Sequence, residues 1–367
     1  MHPILPFYAA LSLFALLGFR LEQREARTYL WVAGWGAMAV VLTAAVFRDI
    51  TGDTWRYNLA FQQLATQGFA ETWAAVDNNW LFELLMWGLA QFGTHPLWFI
   101  LPITLFCIGM MRHSLRQILT PTDTAIAIFL YSVYPFFIFY VSSGIKQAIA
   151  MALLMQGYVL LFRKRYFSAF VWLGLAPLFH TGAVLVYPFL LLHHLIWRSG
   201  IGYRRALAIS VTLLLLSTAL SVTGVNQSLM APVQVYADFA DNYAIYFMDA
   251  AEVGYRAGFR PDFTVFSFLP LAAAWWLRPA GRGLSAEVSG WWLNLYTLLA
   301  CLYQLFAFAP FADRFAGFGW YLTPAILVIM LADAGILRPR KIVILTFALL
   351  NIAILQFYTG NNLSVAL

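Results

Sequence analysis

The sequence predicts an all-α polytopic membrane protein, with about twelve transmembrane helices and juxtamembrane helices in its outer loops. Three observations carry this reading. The 367-residue chain is 62% hydrophobic and 10% charged, whereas a soluble domain carries about 25% charged residues. Apolar runs near span length recur from end to end. Clusters of Lys and Arg fall between alternate pairs of those runs, as cytoplasmic loops do.

The expected spans are roughly 3–19, 29–47, 96–111, 122–140, 144–162, 166–180, 183–197, 206–222, 263–279, 289–309, 315–333 and 342–359. The first, in MHPILPFYAALSLFALLGF, has no basic leader and no small-residue cleavage site, so it reads as a retained span rather than a signal peptide. The basic clusters are Arg20/Arg24/Arg27, Arg112/Arg116, Arg163/Lys164/Arg165, Arg198/Arg204/Arg205, Arg278/Arg282 and Arg338/Arg340/Lys341. The positive-inside rule puts them in the cytoplasm and both termini outside. Residues 80–92, WLFELLMWGLAQF, are apolar, but a crossing there would turn an arginine-rich loop outward. Thirteen helical residues also reach only about 20 Å of a core roughly 30 Å thick. The segment is therefore expected to be a juxtamembrane or re-entrant helix. Residues 1–367 read as a single integral membrane domain. Its long outer loops, about 48–95 and 223–262, are expected to form a periplasmic cover over bound substrate.

Charge distribution excludes the obvious soluble functions. The net charge of +6 collects on the cytoplasmic side, so it is a topological signal and predicts no nucleic-acid partner. Cys107 and Cys301 lie inside apolar spans and predict neither a disulfide nor a metal cluster. No nucleotide-binding glycine loop, metal-ligand spacing or serine-hydrolase elbow is present. No cofactor and no metal are expected.

The ionisable residues of the outer side gather at a few helix ends. RDITGDTWRY, Arg48 to Tyr57, packs four charges into ten positions directly after an apolar span; charge so near a membrane core needs water or a function. Asp53 and Arg56, three apart, share a helix face. They read either as a solvated ion pair or as a general base beside an anion clamp made of Arg56 or Arg48. Lys146, after the turn at Gly144, enters the first turn of a long apolar helix, where anions are favoured. It reads as a snorkelling interfacial lysine or as an anion ligand. His180 sits between two short spans, as a structural hydrogen-bond partner or a proton carrier. Asp313 and Arg314 are the charges between two long spans, an internal pair or a second phosphate grip.

In order and spacing, residues 1–335 resemble the EpsG family of bacterial membrane proteins, Wzy-like polymerases of exopolysaccharide, capsule and O-antigen repeat units. Arg48 followed by Gly52, Asp53 and Tyr57 looks like the family stretch after the second span. Glu83 lies near the start of the next apolar helix. Ile145, Lys146, Gln147, Ile149 and Ala150 match an Ile-Arg-Gln-x-Ile-Ala motif, with Lys in place of Arg. Phe179, His180 and Ala183 match Phe-His-x-Ser-Ala, with Gly182 in place of Ser. Asp313 and Arg314 resemble a late acidic-Arg pair. The two departures lose a bidentate fork at Lys146 and a hydroxyl at Gly182.

The resemblance implies a GT-C-like membrane glycosyltransferase acting on undecaprenyl-diphosphate-linked oligosaccharide. It would sit in the bacterial inner membrane with its active site facing the periplasm. Membrane lipids, a chain-length regulator and a flippase of the same pathway would be its partners. Arg48, Arg56, Lys146 and Arg314 would bind the leaving diphosphate. Asp53 would act as base with His180 second, although cationic neighbours favour a permanently anionic Asp53. Tyr57, Glu83, Gln147 and Asp313 would contact substrate. Trp55, Trp73, Tyr236, Tyr243 and Tyr246 stack on sugars or, more plainly, belong to the interfacial belt. A flippase of the same lipid, a membrane O-acyltransferase and an assembly subunit are the rival readings.

Overall fold

A computed structural model of the chain describes residues 23–47, 52–76, 78–230, 257–277, 288–334 and 349. Arg48, the first expected span, nearly all of the last, and Tyr236, Tyr243 and Tyr246 lie outside the described residues. The chain divides into two compact units, residues 1–183 with 336–367, and residues 184–335.

The first unit holds α1 (Gln23–Phe47), α2 (Gly52–Leu64), α3 (Phe69–Ala75), α4 (Trp80–Ala90), α5 (Leu97–Arg116), α6 (Pro121–Ser132), α7 (Pro135–Ser142), α8 (Ile145–Phe162) and α9 (Tyr166–Phe179). A 3₁₀ turn, Thr181–Val186, follows. α8 is the core helix: 83% of it is buried, and it packs against α5 and α9. Polar groups on such a helix must find protein partners. Gln156 Oε1 accepts from Ser114 Oγ and Gln117 Nε2, both at 2.9 Å, which fastens α5 to α8.

The expected span 122–140 is two helices, α6 and α7, bent by 72°. Pro135 is the cause. Its ring keeps Tyr134 out of the helical region, at φ −90° and ψ 112°. α4, the apolar segment near residues 80–92, has 11 residues, about 16 Å of helix at 1.5 Å per residue. That length is short of a crossing.

The second unit holds α10 (Tyr187–Arg198), α11 (Tyr203–Thr223), α12 (Pro261–Leu277), α13 (Ser289–Phe306), α14 (Ala312–Trp320) and α15 (Thr323–Ala334). Its core helix is α13, buried along almost its whole length. Ser267 joins three helices: its hydroxyl accepts from Trp320 Nε1 at 2.9 Å and its carbonyl from Tyr296 OH at 3.0 Å.

Four stretches among the described residues are long and apolar enough to cross a membrane: Leu97–Arg116, Ile145–Phe162, Tyr203–Thr223 and Ala312–Ala332. Counting the bent pair α6–α7 as one gives five. α11 is apolar yet only 28% buried, and Phe167 and Trp275 are 84% and 73% exposed. In water such surface would drive association; against acyl chains it is at home. The protein is an α-helical membrane protein.

Candidate functional site

Four helix ends of the first unit converge. α2 begins at Gly52, and Asp53 in its first turn accepts a hydrogen bond from Arg56 Nη2. Asp53 is buried, whereas the Arg56 side chain is 65% exposed. Thr54, fully buried, donates from Oγ1 to the Ser142 carbonyl at 3.0 Å. This bond ties the start of α2 to the end of α7, three residues before α8 begins.

Lys146, in the first turn of α8, reaches Glu83 in the first turn of α4. The Nζ–Oε1 distance is 2.8 Å, and the two side chains are only 20% and 27% exposed. The ammonium also lies 4.7 Å from the Phe82 ring centre and 5.4 Å from that of Tyr57. Tyr57 and Phe82 touch each other at 5.5 Å. An ammonium over aromatic faces is held electrostatically as well as by its carboxylate. Gln147, next along α8, is buried.

The fourth end is the corner between α9 and the 3₁₀ turn. His180 caps α9 in extended backbone geometry and is half-buried. Asn79, immediately before α4, clasps this corner. Its Oδ1 accepts from the Thr181 amide at 2.8 Å and the Thr181 hydroxyl at 3.1 Å. Asn79 takes the left-handed conformation, φ 52°, which Asn tolerates better than most residues. Gly182 matters by its missing side chain, since a Cβ there would stand 3.0 Å from His180 Nε2.

Asp53, Arg56, Tyr57, Glu83, Lys146, Gln147 and His180 thus sit on helix ends linked by direct bonds. Thr54, Phe82, Asn79 and Thr181 join them without having been singled out from sequence. The Asn-Asn pair ahead of an apolar helix was the available signal for Asn79. Nothing in the sequence pairs Lys146 with Glu83, 63 positions away.

One turn further along the same helices the lining becomes apolar. A cavity of about 170 Å³ is bounded by Leu85 and Leu89 of α4, Phe106 of α5, Ile149 of α8 and Phe179 of α9. Leu85, Ile149 and Phe179 lie within three residues of Glu83, Lys146 and His180, respectively.

The second unit has its own charges. Asp313 and Arg314 open α14 after Phe311, which is left-handed at φ 57°. The Arg314 guanidinium lies 4.9 Å from the Phe311 ring centre. Arg260 Nη2 donates to Asp262 Oδ2 at 2.6 Å and stacks 3.6 Å from the Phe263 ring centre. Burial pushes the Asp262 carboxyl up, but the hydrogen bond and charge of Arg260 outweigh it and hold it below the usual carboxylate value. Arg260 and Asp262 are additions to the residues selected from sequence. Among the described residues no group of His, Cys, Asp and Glu could hold a metal ion.

No curated protein and no solved structure matches the chain. The model of the EpsG family matches residues 36–365, nearly its full length and including every helix end described above. The chain belongs to the EpsG family, which ties it to exopolysaccharide biosynthesis.

Proposed function

We propose that this protein is a Wzy-type polymerase. It would join oligosaccharide repeat units carried on a polyprenyl diphosphate, at the periplasmic face of the bacterial inner membrane, within a twelve-span GT-C-like architecture. The observation that carries this reading is the apolar cavity one turn beyond the charged helix ends. An amphiphile with an anionic head and a long hydrocarbon chain suits that sequence of surfaces. A water-soluble sugar nucleotide has no use for the apolar part.

At rest the cations are matched, Arg56 by Asp53 and Lys146 by Glu83. An incoming diphosphate competes for both cations, and Arg56 is exposed enough to swing toward it. Once the cations turn to phosphate, the carboxylates are released to act on sugar hydroxyls. This removes the objection that a permanently paired Asp53 makes a poor base. In the transfer step an acceptor hydroxyl oxygen forms a bond to the anomeric carbon of the donor. The bond from that carbon to the diphosphate oxygen breaks, and its electron pair leaves with the diphosphate. The hydroxyl proton passes to Asp53, with His180 as the second acceptor. Lys146 and Arg56 stabilise the charge that grows on the leaving group. Glu83, Gln147 and Tyr57 hold sugar hydroxyls. Arg48 and, in the second unit, Arg314 beside Asp313 are assigned the same anion-binding chemistry. A chain-length regulator and a flippase are the expected partners.

A flippase is the second reading, favoured by one observation. The break between α6 and α7 resembles the discontinuous helices that transporters use. Reconstituted protein supplied with lipid-diphosphate oligosaccharide separates the two. Polymerisation predicts a ladder of longer lipid-linked glycans; translocation of unlengthened lipid across the vesicle wall contradicts it.

A further inference from the structure

Three faces at the opposite, arginine-rich end of the first unit enclose a cavity of about 210 Å³. Each face is a pair four residues apart, hence on one side of its helix. Trp31 and Trp35 come from α1, Arg112 and Arg116 from the last turns of α5, Thr124 and Ile128 from α6. The Arg112 guanidinium lies 5.7 Å from the Trp35 ring centre. α1 and α6 meet closely beside it: a Cβ on Gly34 would stand 2.7 Å from the Ala125 carbonyl oxygen. The cavity is therefore built by helix packing and not by loose surface side chains.

Its electrostatics differ from those of the helix-end site. There Arg56 and Lys146 each have a carboxylate. Among the described residues neither Arg112 nor Arg116 forms an ion pair. Like charges four apart on a helix repel, and an anion between them would relieve the repulsion. Trp31, 56% exposed, stands at the rim, and indoles favour the headgroup level of a bilayer. Free phosphate would use the guanidinium groups but not the indole faces. We infer that this cavity binds the phosphodiester headgroup of an anionic phospholipid, with both arginines on the phosphate and the tryptophans against the glycerol and upper acyl chain. The site is independent of the polymerase reading.

Purified protein in neutral detergent micelles would be titrated with phosphatidylglycerol, phosphatidylcholine or inorganic phosphate, with the shift in unfolding temperature as readout. Phosphatidylglycerol should give a saturable rise. Each arginine's charge-assisted bond to the phosphate contributes roughly a factor of ten in affinity, so Arg112→Gln/Arg116→Gln should bind about a hundredfold more weakly. Arg204→Gln/Arg205→Gln, equally basic and outside the cavity, should bind as the parent does. Equal loss in that control would overturn the site in favour of diffuse surface charge. A phosphate response matching that of phosphatidylglycerol would overturn the lipid assignment. If the double variant does not fold, Arg116→Gln at its exposed position carries the test: about tenfold weakening is expected, and unchanged affinity overturns the site.

Discussion

Removing Lys146 should expose how much the helix-end cluster depends on a single ion pair. At the observed 2.8 Å, unit charges attract by about 6 kcal/mol at an effective dielectric of about 20. The ring faces of Phe82 and Tyr57 add about 1 kcal/mol. Withdrawing two mostly buried ions from water offsets several kcal/mol of this. Lys146→Met strands a carboxylate, so we expect it to destabilise the protein by about 3 kcal/mol, near the low end for breaking a buried pair. Glu83→Gln should cost about 2 kcal/mol. The double variant should be no worse than the poorer single one, giving a coupling of about 2 kcal/mol. Denaturant unfolding of the four proteins in detergent measures this directly. A coupling below about 0.5 kcal/mol, the size found for exposed pairs, would refute the argument that burial makes this contact strong.

Three further outcomes follow from the geometry. Arg56→Ala takes a cation from the buried Asp53 carboxylate, but because the Arg56 side chain is 65% exposed and solvent can replace it in part, it should cost about 1–2 kcal/mol, less than Lys146→Met. Yet glycan elongation should fall about a hundredfold, as for loss of one preorganised donor; unchanged elongation would leave it an ordinary surface pair. Asn79→Ala should cost about 2 kcal/mol by orphaning the two Thr181 donors. Asn79→Asp keeps the acceptor and should unfold close to the parent, and equal damage from both variants would show that the clasp is not the cause. The Asp262 carboxyl is held below its usual value by Arg260, so its contribution is full above an unfolded pKa of about 3.9 and is lost as pH falls through the folded one. Because the side chain is 56% exposed, the loss should stay under about 1 kcal/mol. Unfolding of Asp262→Asn, compared with the parent as pH falls below about 4, should lack it.

The long apolar runs were the most legible part of the chain. Residues 144–162 became Ile145–Phe162 because an uninterrupted apolar stretch in lipid has few alternatives to helix. Averaged hydropathy hid the break at Tyr134, although Pro135 stood in plain view as its local cause. The site divides the same way. His180, Lys146 and Asp53 were visible as polar residues at helix ends in an apolar chain. Their partners were not, because hydropathy reports depth in the membrane and not which helices are neighbours. Glu83 faces Lys146 only because α4 lies against the start of α8. Asn79 looked like loop sequence because its left-handed backbone leaves no apolar periodicity behind. Arg260 and Asp262 fall at the end of the second long outer loop with no motif to single them out, and only the close stacking on Phe263 distinguishes them.

The linked ends of α2, α4 and α8 are proposed to hold the diphosphate of a lipid-linked glycan while a sugar is transferred. Glycan elongation by the triple variant Asp53→Asn/Arg56→Ala/Lys146→Ala, reconstituted with lipid-diphosphate oligosaccharide, decides whether they do. Lipid-linked product should remain at one repeat unit, while parent protein in parallel vesicles builds a ladder. A ladder of parental length from the triple variant would contradict a diphosphate site at these helix ends and move the chemistry elsewhere in the chain.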